Sequence, residues 1–545
     1  MPERRSAGGR GKRLSAAGIA VALSLLLTAA AHSLAGASSP QQGPPSSTPT
    51  AAEWPTAGAG LTPRPAGASA LAVQREQAGA SSARARRPLE SALPTVALEE
   101  YWRRMHELRG APVMDRLRLL PADQRDDPLF GVNNALVAEN ATAPLLRGIG
   151  ATIDRVEVRW DEIEPTPGEF CFDRLDSLVA QAERWDLAIL AVVVGAPAWA
   201  VDRPERSGAG PPRGLHEPAL LHGGIANLDN PWASFLSALA RRYGSRIAAW
   251  EVWNEPNIPE FWRGSVAEYA RLYEVARAVL QAEVPGAPVL VAGLVQDDGA
   301  FLRELVRELC SRRDCASPPF EHVAWHVYNN PRDVLKVAET TRAVLAPYGV
   351  EPIIWITEAN VPIDDPLAPL YAVGGPGNVS LVEQAAFVMQ VYALARAGGI
   401  RTVAFYRAAD VEEGRFWGLL RQNVSGRPAL FAYRAAAQWL SRSRLVRLGH
   451  PRQGVTQVRL RRPGETVDVV WTDAPEPVVV RVEAEERRGM VVRLDGTTAP
   501  IRARGNSFEV ALPAAPPPHP PMVPLGEPVL LVVPDDTLWS RRGPA

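Results

Sequence analysis

From residue 128 onward the chain switches repeatedly between short β-branched, aliphatic or aromatic runs and longer stretches whose apolar residues recur every three or four positions. Short apolar runs bounded by Gly, Pro or Asn read as buried strands, and the longer stretches as amphipathic helices. Strands are expected at 129–133, 152–160, 188–195, 247–254, 288–294, 322–328, 352–358 and 402–407, with helices between them at 232–243, 266–282 and 381–397 and a last one near 429–440. Such alternation predicts an α/β fold in which helices cross over a parallel sheet. Eight units in this length match a TIM (β/α)8 barrel. An open doubly wound sheet is the competing architecture. It is disfavoured because no glycine-rich phosphate loop follows a strand: Gly148-Ile149-Gly150 precedes one and lacks a third glycine.

After about residue 443 the helical period vanishes. Short alternating segments at 455–460, 466–471, 478–482, 490–494 and 529–533 predict a small C-terminal β-sandwich, with the Pro-rich stretch 513–524 as a surface loop. The connection at 440–444 is too short to let this domain swing free, so it is expected to pack on the barrel.

The N-terminus has another character. Arg4, Arg5, Arg10, Lys12 and Arg13 precede the apolar run Leu14 to Ala31 and the small residues Ala35-Gly36-Ala37, the order of a secretory signal peptide over 1–37. An uncleaved signal anchor is the alternative, and either places the remainder outside the cytoplasm, secreted or at the cell surface. Residues 38–97 are rich in Ala, Ser, Pro and Gly and read as a disordered linker. A helical lead-in (98–127), the catalytic barrel (128–441) and the sandwich (442–545) complete the expected organisation. No other apolar run is long enough to span a membrane.

Of 545 residues 46% are hydrophobic and 22% charged, with 59 basic against 60 acidic side chains. This balance lacks the clustered positive charge that nucleic acid requires. Three cysteines and eight scattered histidines exclude a disulfide-rich scaffold and the usual structural zinc modules. Cys310 and Cys315 could close a small-loop disulfide, which would leave Cys171 unpaired. His-Glu-x-x-His, Gly-x-Ser-x-Gly and P-loop motifs are all missing from the sequence.

In a barrel of this kind the working groups stand at the C-terminal strand ends. Two glutamates are expected there. Glu255 follows the fourth strand in Trp250-Glu251-Val252-Trp253-Asn254-Glu255-Pro256-Asn257, and Glu358 ends the seventh in Ile353-Ile354-Trp355-Ile356-Thr357-Glu358-Ala359-Asn360. Paired carboxyls suit glycoside cleavage, in which one protonates the departing oxygen while the other attacks or screens the anomeric carbon. No metal or organic cofactor is needed for that chemistry. Glu251 lies deeper in its strand and is assigned to structure. Trp199, Trp262 and Trp417 sit in or near loops after strands and are candidates for stacking on sugar faces. The Pro- and Gly-rich connection at 201–230 reads as a lid, a subsite wall or a floppy insertion.

Trp253-Asn254-Glu255-Pro256-Asn257 together with Thr357-Glu358 resembles the signature of the clan A glycoside hydrolases, the "four-seven" superfamily of retaining glycosidases. With Phe261-Trp262 following, the chain is most similar to family 39, which includes β-xylosidases and α-iduronidases, and next to the family 5 cellulases. The resemblance covers residues 128–441. It implies an oligo- or polysaccharide substrate, Glu255 as general acid/base, Glu358 as nucleophile and Asn254 as a ligand of the sugar 2-hydroxyl. It further implies that His326 and Tyr328 hydrogen-bond substrate or nucleophile. Arg155 on the second strand either holds the nucleophile anionic, as in the clan, or forms a structural ion pair with Glu251 or Glu157. Tyr406 stands near where many relatives place a sugar-binding tryptophan, a departure at the subsite that holds the reacting sugar. A transglycosylase that remodels exopolysaccharide and a non-catalytic carbohydrate-binding protein are the other readings.

Overall fold

The computed structural model describes residues 117–138, 142–295, 297–311, 320–365, 377–411, 416–518, 520 and 522–534. The expected signal segment 1–37, linker 38–97, lead-in residues 98–116 and Cys315 lie outside the described residues. The described remainder of the lead-in is not helical apart from a 3-10 turn at Ala122–Gln124. Cys310 is disulfide-bonded and Cys171 is a free, exposed thiol. Among the described residues no helix is long and apolar enough to cross a membrane.

Eight strands close into a barrel in chain order: β1 Phe130–Asn133, β2 Ile153–Arg159, β3 Ala188–Val194, β4 Ala249–Val252, β5 Val289–Val295, β6 His322–Tyr328, β7 Ile353–Asn360 and β8 Thr402–Phe405. All neighbours are parallel, and β8 pairs with β1 to close the ring. The competing open sheet is thereby ruled out. Burial on both faces explains the continuous apolar run of β3, Ala188–Val194, whereas β2 mixes Asp154, Arg155 and the exposed Glu157 among its apolar residues.

The helices begin and end on local signals. Ser265 and Ser380 form capping boxes with Glu268 and Glu383 at the starts of Val266–Glu283 and Leu381–Gly398. Pro231 and Pro428 occupy first-turn positions of Pro231–Tyr243 and Pro428–Leu440, where a missing N–H costs nothing. Inside the barrel, Ile153, Leu190, Ala249, Leu290, Ala324 and Trp355 form an apolar layer at the N-terminal end. It is a packed floor, so the cavity opens only above it.

The last part of the chain is a six-stranded antiparallel sheet and a two-stranded ribbon. With β9 Arg444–Gly449, β10 Val455–Arg462, β11 Glu465–Thr472, β12 Val478–Glu483, β13 Arg488–Val492, β14 Thr498–Arg502, β15 Ser507–Leu512 and β16 Val529–Pro534, the sheet order is β14-β13-β16-β11-β10-β9 and the ribbon pairs β12 with β15. Alternation along β11 and β16 sends Val467, Val469, Trp471, Leu530 and Val532 into the core shared with the barrel. Val470, Val529, Leu531 and Val533 face the ribbon instead. The two domains are thus fused through one apolar core, and Gln390 of Leu381–Gly398 donates to the Gly526 carbonyl across the junction at 2.8 Å. Strands β9, β14 and β15 go beyond the sequence expectation. The first two carry mostly exposed side chains and so lack a strong apolar signal. The Pro-rich stretch 513–524 contains no strand, but Ala515 and Met522 are buried, so it is only partly a surface loop.

Candidate active site

Above the floor the same inward positions become polar, and two strands break their alternation at this level. Along β7 the inward residues are Ile353 and Trp355, and Thr357 follows them, its hydroxyl 3.3 Å from Glu251 Oε1. A regular strand would then turn Glu358 outward. Instead the β6–β7 register shifts, Trp325 pairing with Ile356 but His326 with Glu358, so one extra residue of β7 is accommodated. This bulge brings Glu358 and Asn360 onto the face of His326 and Tyr328.

The end of β4 is reoriented by left-handed backbone instead. Trp253 has φ 73° and Glu255 φ 41°, conformations that bulky side chains adopt only when their surroundings enforce them. The enforcement is visible: the Trp253 indole is buried outside the barrel against Trp232 and Trp262 and donates to the Phe261 carbonyl at 2.7 Å. Asn254 and Glu255 are left to face the mouth.

Arg155 of β2 ties these parts together. Its Nη1 donates to Glu358 Oε1 at 2.7 Å, Nε to Glu251 Oε2 at 2.8 Å and Nη2 to Asn254 Oδ1 at 2.7 Å. The two contacts open to it from sequence are therefore made together, to Glu358 and to Glu251. Glu157 is exposed and pairs with Arg159 at 3.8 Å.

His326 Nδ1 lies 2.6 Å from Glu255 Oε1 and 3.5 Å from Glu358 Oε2. Its ring fits because position 293 on β5 is glycine: a Cβ there would sit 2.0 Å from His326 Nε2. The Gly293 N–H in turn donates to Glu251 at 2.9 Å. Tyr328 donates its phenol to Glu358 Oε2. Tyr328, Tyr406 and Trp417 pack edge to face with centroids 5.7 to 6.3 Å apart, so all three stand beside the nucleophile candidate.

The two glutamates are driven apart electrostatically. Burial pushes the Glu255 carboxyl above the ordinary glutamate value, only partly opposed by its hydrogen bond to His326. Burial pushes Glu358 the same way, but the charges of His326 and Arg155 and the hydrogen bonds from Tyr328 and Arg155 more than offset it and hold this carboxyl below the ordinary value. One carboxylate oxygen of each glutamate and a ring nitrogen of His326 lie within 4.8 Å of one another. Three such groups could converge on a cation. Both Glu358 oxygens and His326 Nδ1 are, however, already engaged within the cluster, an arrangement suited to moving protons.

Trp262 does not reach the mouth. It is only 3% exposed, wedged edge to face between Trp253 and Tyr269, and its N–H is taken by the Ser265 carbonyl. Protein already covers its faces, which removes it as a sugar platform. Trp199 is half-buried, packs on Trp160 and donates to the Glu164 carbonyl. The 201–230 connection is pinned by bridges Val201–Pro212 and Leu220–Ala226 and by a hydrogen bond from Arg213 to Ala200, so it is not a floppy insertion.

Several residues of the site escape sequence reasoning. Asn133 at the end of β1 bonds the Thr357 and Ala404 carbonyls at 3.0 and 3.1 Å, bracing β7 and β8 from below. Asn360 bonds the Tyr406 and Trp417 carbonyls. Asn133 ends a predicted strand, and that is the signal that could have marked it; Asn360 ends β7 two residues beyond the expected limit at 358, so no such signal pointed to it. Gly293 had none, since its role is the absence of a side chain.

No family model matches the chain. A curated β-xylosidase of Caldicellulosiruptor saccharolyticus is 30% identical over 105 residues, which is 18% of this chain and 20% of that protein. One from Geobacillus stearothermophilus is 28% identical over 164 residues, 24% of this chain and 31% of that protein. The chain thus matches less than a third of the length of either curated relative. Among solved structures, a family 39 glycoside hydrolase from the gut symbiont Bacteroides cellulosilyticus WH2 aligns over 76% of this chain and 82% of its own, with a TM-score of 0.57 at 18% identity. At that identity the likeness is one of fold.

Proposed function

We propose that the protein is a retaining glycoside hydrolase that cleaves O-glycosidic bonds of an oligo- or polysaccharide by double displacement. The carrying observation is the pair Glu255, just after the fourth strand, and Glu358, on the seventh, with oxygens within 4.8 Å and proton affinities displaced in opposite directions. Retaining sites hold their carboxyls about 5 to 5.5 Å apart, whereas inverting sites leave about 6.5 to 9.5 Å for a water. Opposed proton affinities supply one acid and one anion at the same pH.

Ionised Glu358 attacks the anomeric carbon as the bond to the leaving oxygen breaks, and Glu255 gives that oxygen its proton. Glu255, now anionic, takes a proton from water, whose oxygen displaces Glu358 from the sugar and restores both groups. Arg155 keeps Glu358 anionic and aimed, and the Tyr328 phenol shares that task. Asn254 is positioned for the sugar 2-hydroxyl, and Tyr406 and Trp417 wall the subsite. The curated β-xylosidases that share stretches with this chain make β-xylosides the first substrates to try. The signal-like N-terminus supports action outside the cytoplasm.

The test is turnover of aryl β-xylosides, β-glucosides and β-linked polysaccharides by the protein from residue 98, with the anomer of the first product read by proton NMR. Retained configuration is expected. Inverted configuration, or binding without turnover across the panel, overturns the reading, and transfer to added sugar in preference to water redefines it as a transglycosylase.

A further inference from the structure

Beside the mouth, a group of four charges, three of them buried, holds no part of the reacting centre. Arg427, at the N-cap of Pro428–Leu440, is 1% exposed and lies between two acids. Its Nε donates to Asp365 Oδ2 at 2.8 Å and its Nη2 to Asp410 Oδ2 at 2.5 Å. Arg421 joins from the other side, its Nε 2.7 Å from Asp365 Oδ2. Among the described residues the group sets Arg421 and Arg427 against Asp365 and Asp410.

What the clamp grips is the segment carrying Trp417. Asp410 Oδ1 accepts the N–H groups of Trp417 and Gly418 at 3.1 and 2.8 Å, and Arg427 Nη1 donates to the Gly418 carbonyl at 2.8 Å. The approach is so close that a Cβ on Gly418 would lie 2.3 Å from the Leu420 carbonyl oxygen. Trp417 has its own carbonyl held by Asn360 and Gln384 at 2.6 and 3.0 Å, and its ring lies against Tyr328. Tyr328 donates to Glu358. A continuous path therefore runs from Arg427 through Asp410 and the Trp417 backbone to the phenol that touches the nucleophile candidate.

We infer that Arg427 and Asp410 are positioning residues for the proposed glycosidase, fixing Trp417 so that Tyr328 keeps its hydrogen bond to Glu358. This rests on the proposed function. An arginine is required because its planar fork reaches both acids and the Gly418 carbonyl at once, which a lysine ammonium cannot. Loosening the clamp withdraws one donor from Glu358, whose other charged or titratable neighbours, Arg155 of β2, Glu251 and Glu255 from β4, His326 of β6 and Tyr406 after β8, remain in place.

The test compares Arg427→Lys and Asp410→Asn with wild type by thermal melting and by kcat, KM and the pH profile of kcat/KM on the best aryl glycoside of the panel. Both variants are expected to melt cooperatively, to lose about tenfold in kcat with little change in KM, and to move the acid limb of the profile upward. An active wild type whose folded variants keep its kcat and acid limb overturns the inference alone. An inactive wild type overturns it together with the glycosidase reading.

Discussion

The floor and the mouth of the barrel are built from the same alternate positions of the same strands, two residues apart, yet they are held by opposite forces. Ile153, Leu190, Ala249 and Ala324 fill the floor by dispersion and loss of apolar surface from water. One step up, Arg155, Glu251 and His326 place charge in an equally dry space, tolerable only because the groups pair with one another and with Glu358. The floor supplies stability and little chemistry. The mouth supplies chemistry, and its crowd of three carboxylates around one arginine is a local cost that the floor offsets.

That division can be broken in four ways. The largest effect is expected from Glu358→Ala, which should lower kcat by about 10⁴-fold or more while leaving the melting curve close to wild type, since Arg155 keeps its pairing with Glu251. Calorimetry and turnover on the same preparation check this, and wild-type activity in the variant would remove the assignment. Next, Glu255→Ala should cost about 10² to 10⁴-fold on substrates with poor leaving groups and far less on dinitrophenyl glycosides, where no proton is needed. Added azide should then give a glycosyl azide of retained configuration. The converse comes from the floor: Leu190→Ala, in a fully buried position, should lose about 2 to 5 kcal/mol in denaturant titration and keep kcat/KM within about threefold. A large kinetic defect there would show that floor and mouth are not separable.

The smallest effect is the one on pH. The proposed mechanism needs Glu358 ionised and Glu255 protonated, so kcat/KM should be bell-shaped, its acid limb below and its basic limb above the ordinary glutamate value, both belonging to the coupled pair. For stability the signs are opposed. Glu358, lowered on folding, contributes stability that is present above the ordinary value and lost as pH falls below it. Glu255, raised on folding, costs stability as pH rises above that value. Glu255→Gln should therefore flatten the alkaline side of a melting-temperature profile and leave the acid side alone.

Much of this was legible without coordinates, for reasons tied to particular residues. Strands such as β3 announced themselves because an apolar run is buried on both faces, and the helices because their apolar residues recur every three or four positions. Glu255 and Glu358 were findable because each follows an apolar run at a strand end. Trp262 misled, since a tryptophan after a strand signals equally a sugar platform and a plug, and only its neighbours Trp253 and Tyr269 decide.

What the amino-acid order determined by itself is therefore periodicity, boundaries and the kind of side chain available at each strand end, because these depend on local spacing. Which way those side chains point was decided by tertiary structure alone: the extra residue accommodated in β7 turns Glu358 inward, the left-handed φ at Trp253 frees Glu255 to face it, and the missing side chain of Gly293 admits His326 between them. Each of these depends on contacts between different elements, from the eight or so residues that separate Trp253 from Phe261 to the roughly thirty that separate His326 from Gly293 and Glu358, and the period of a single strand does not encode them.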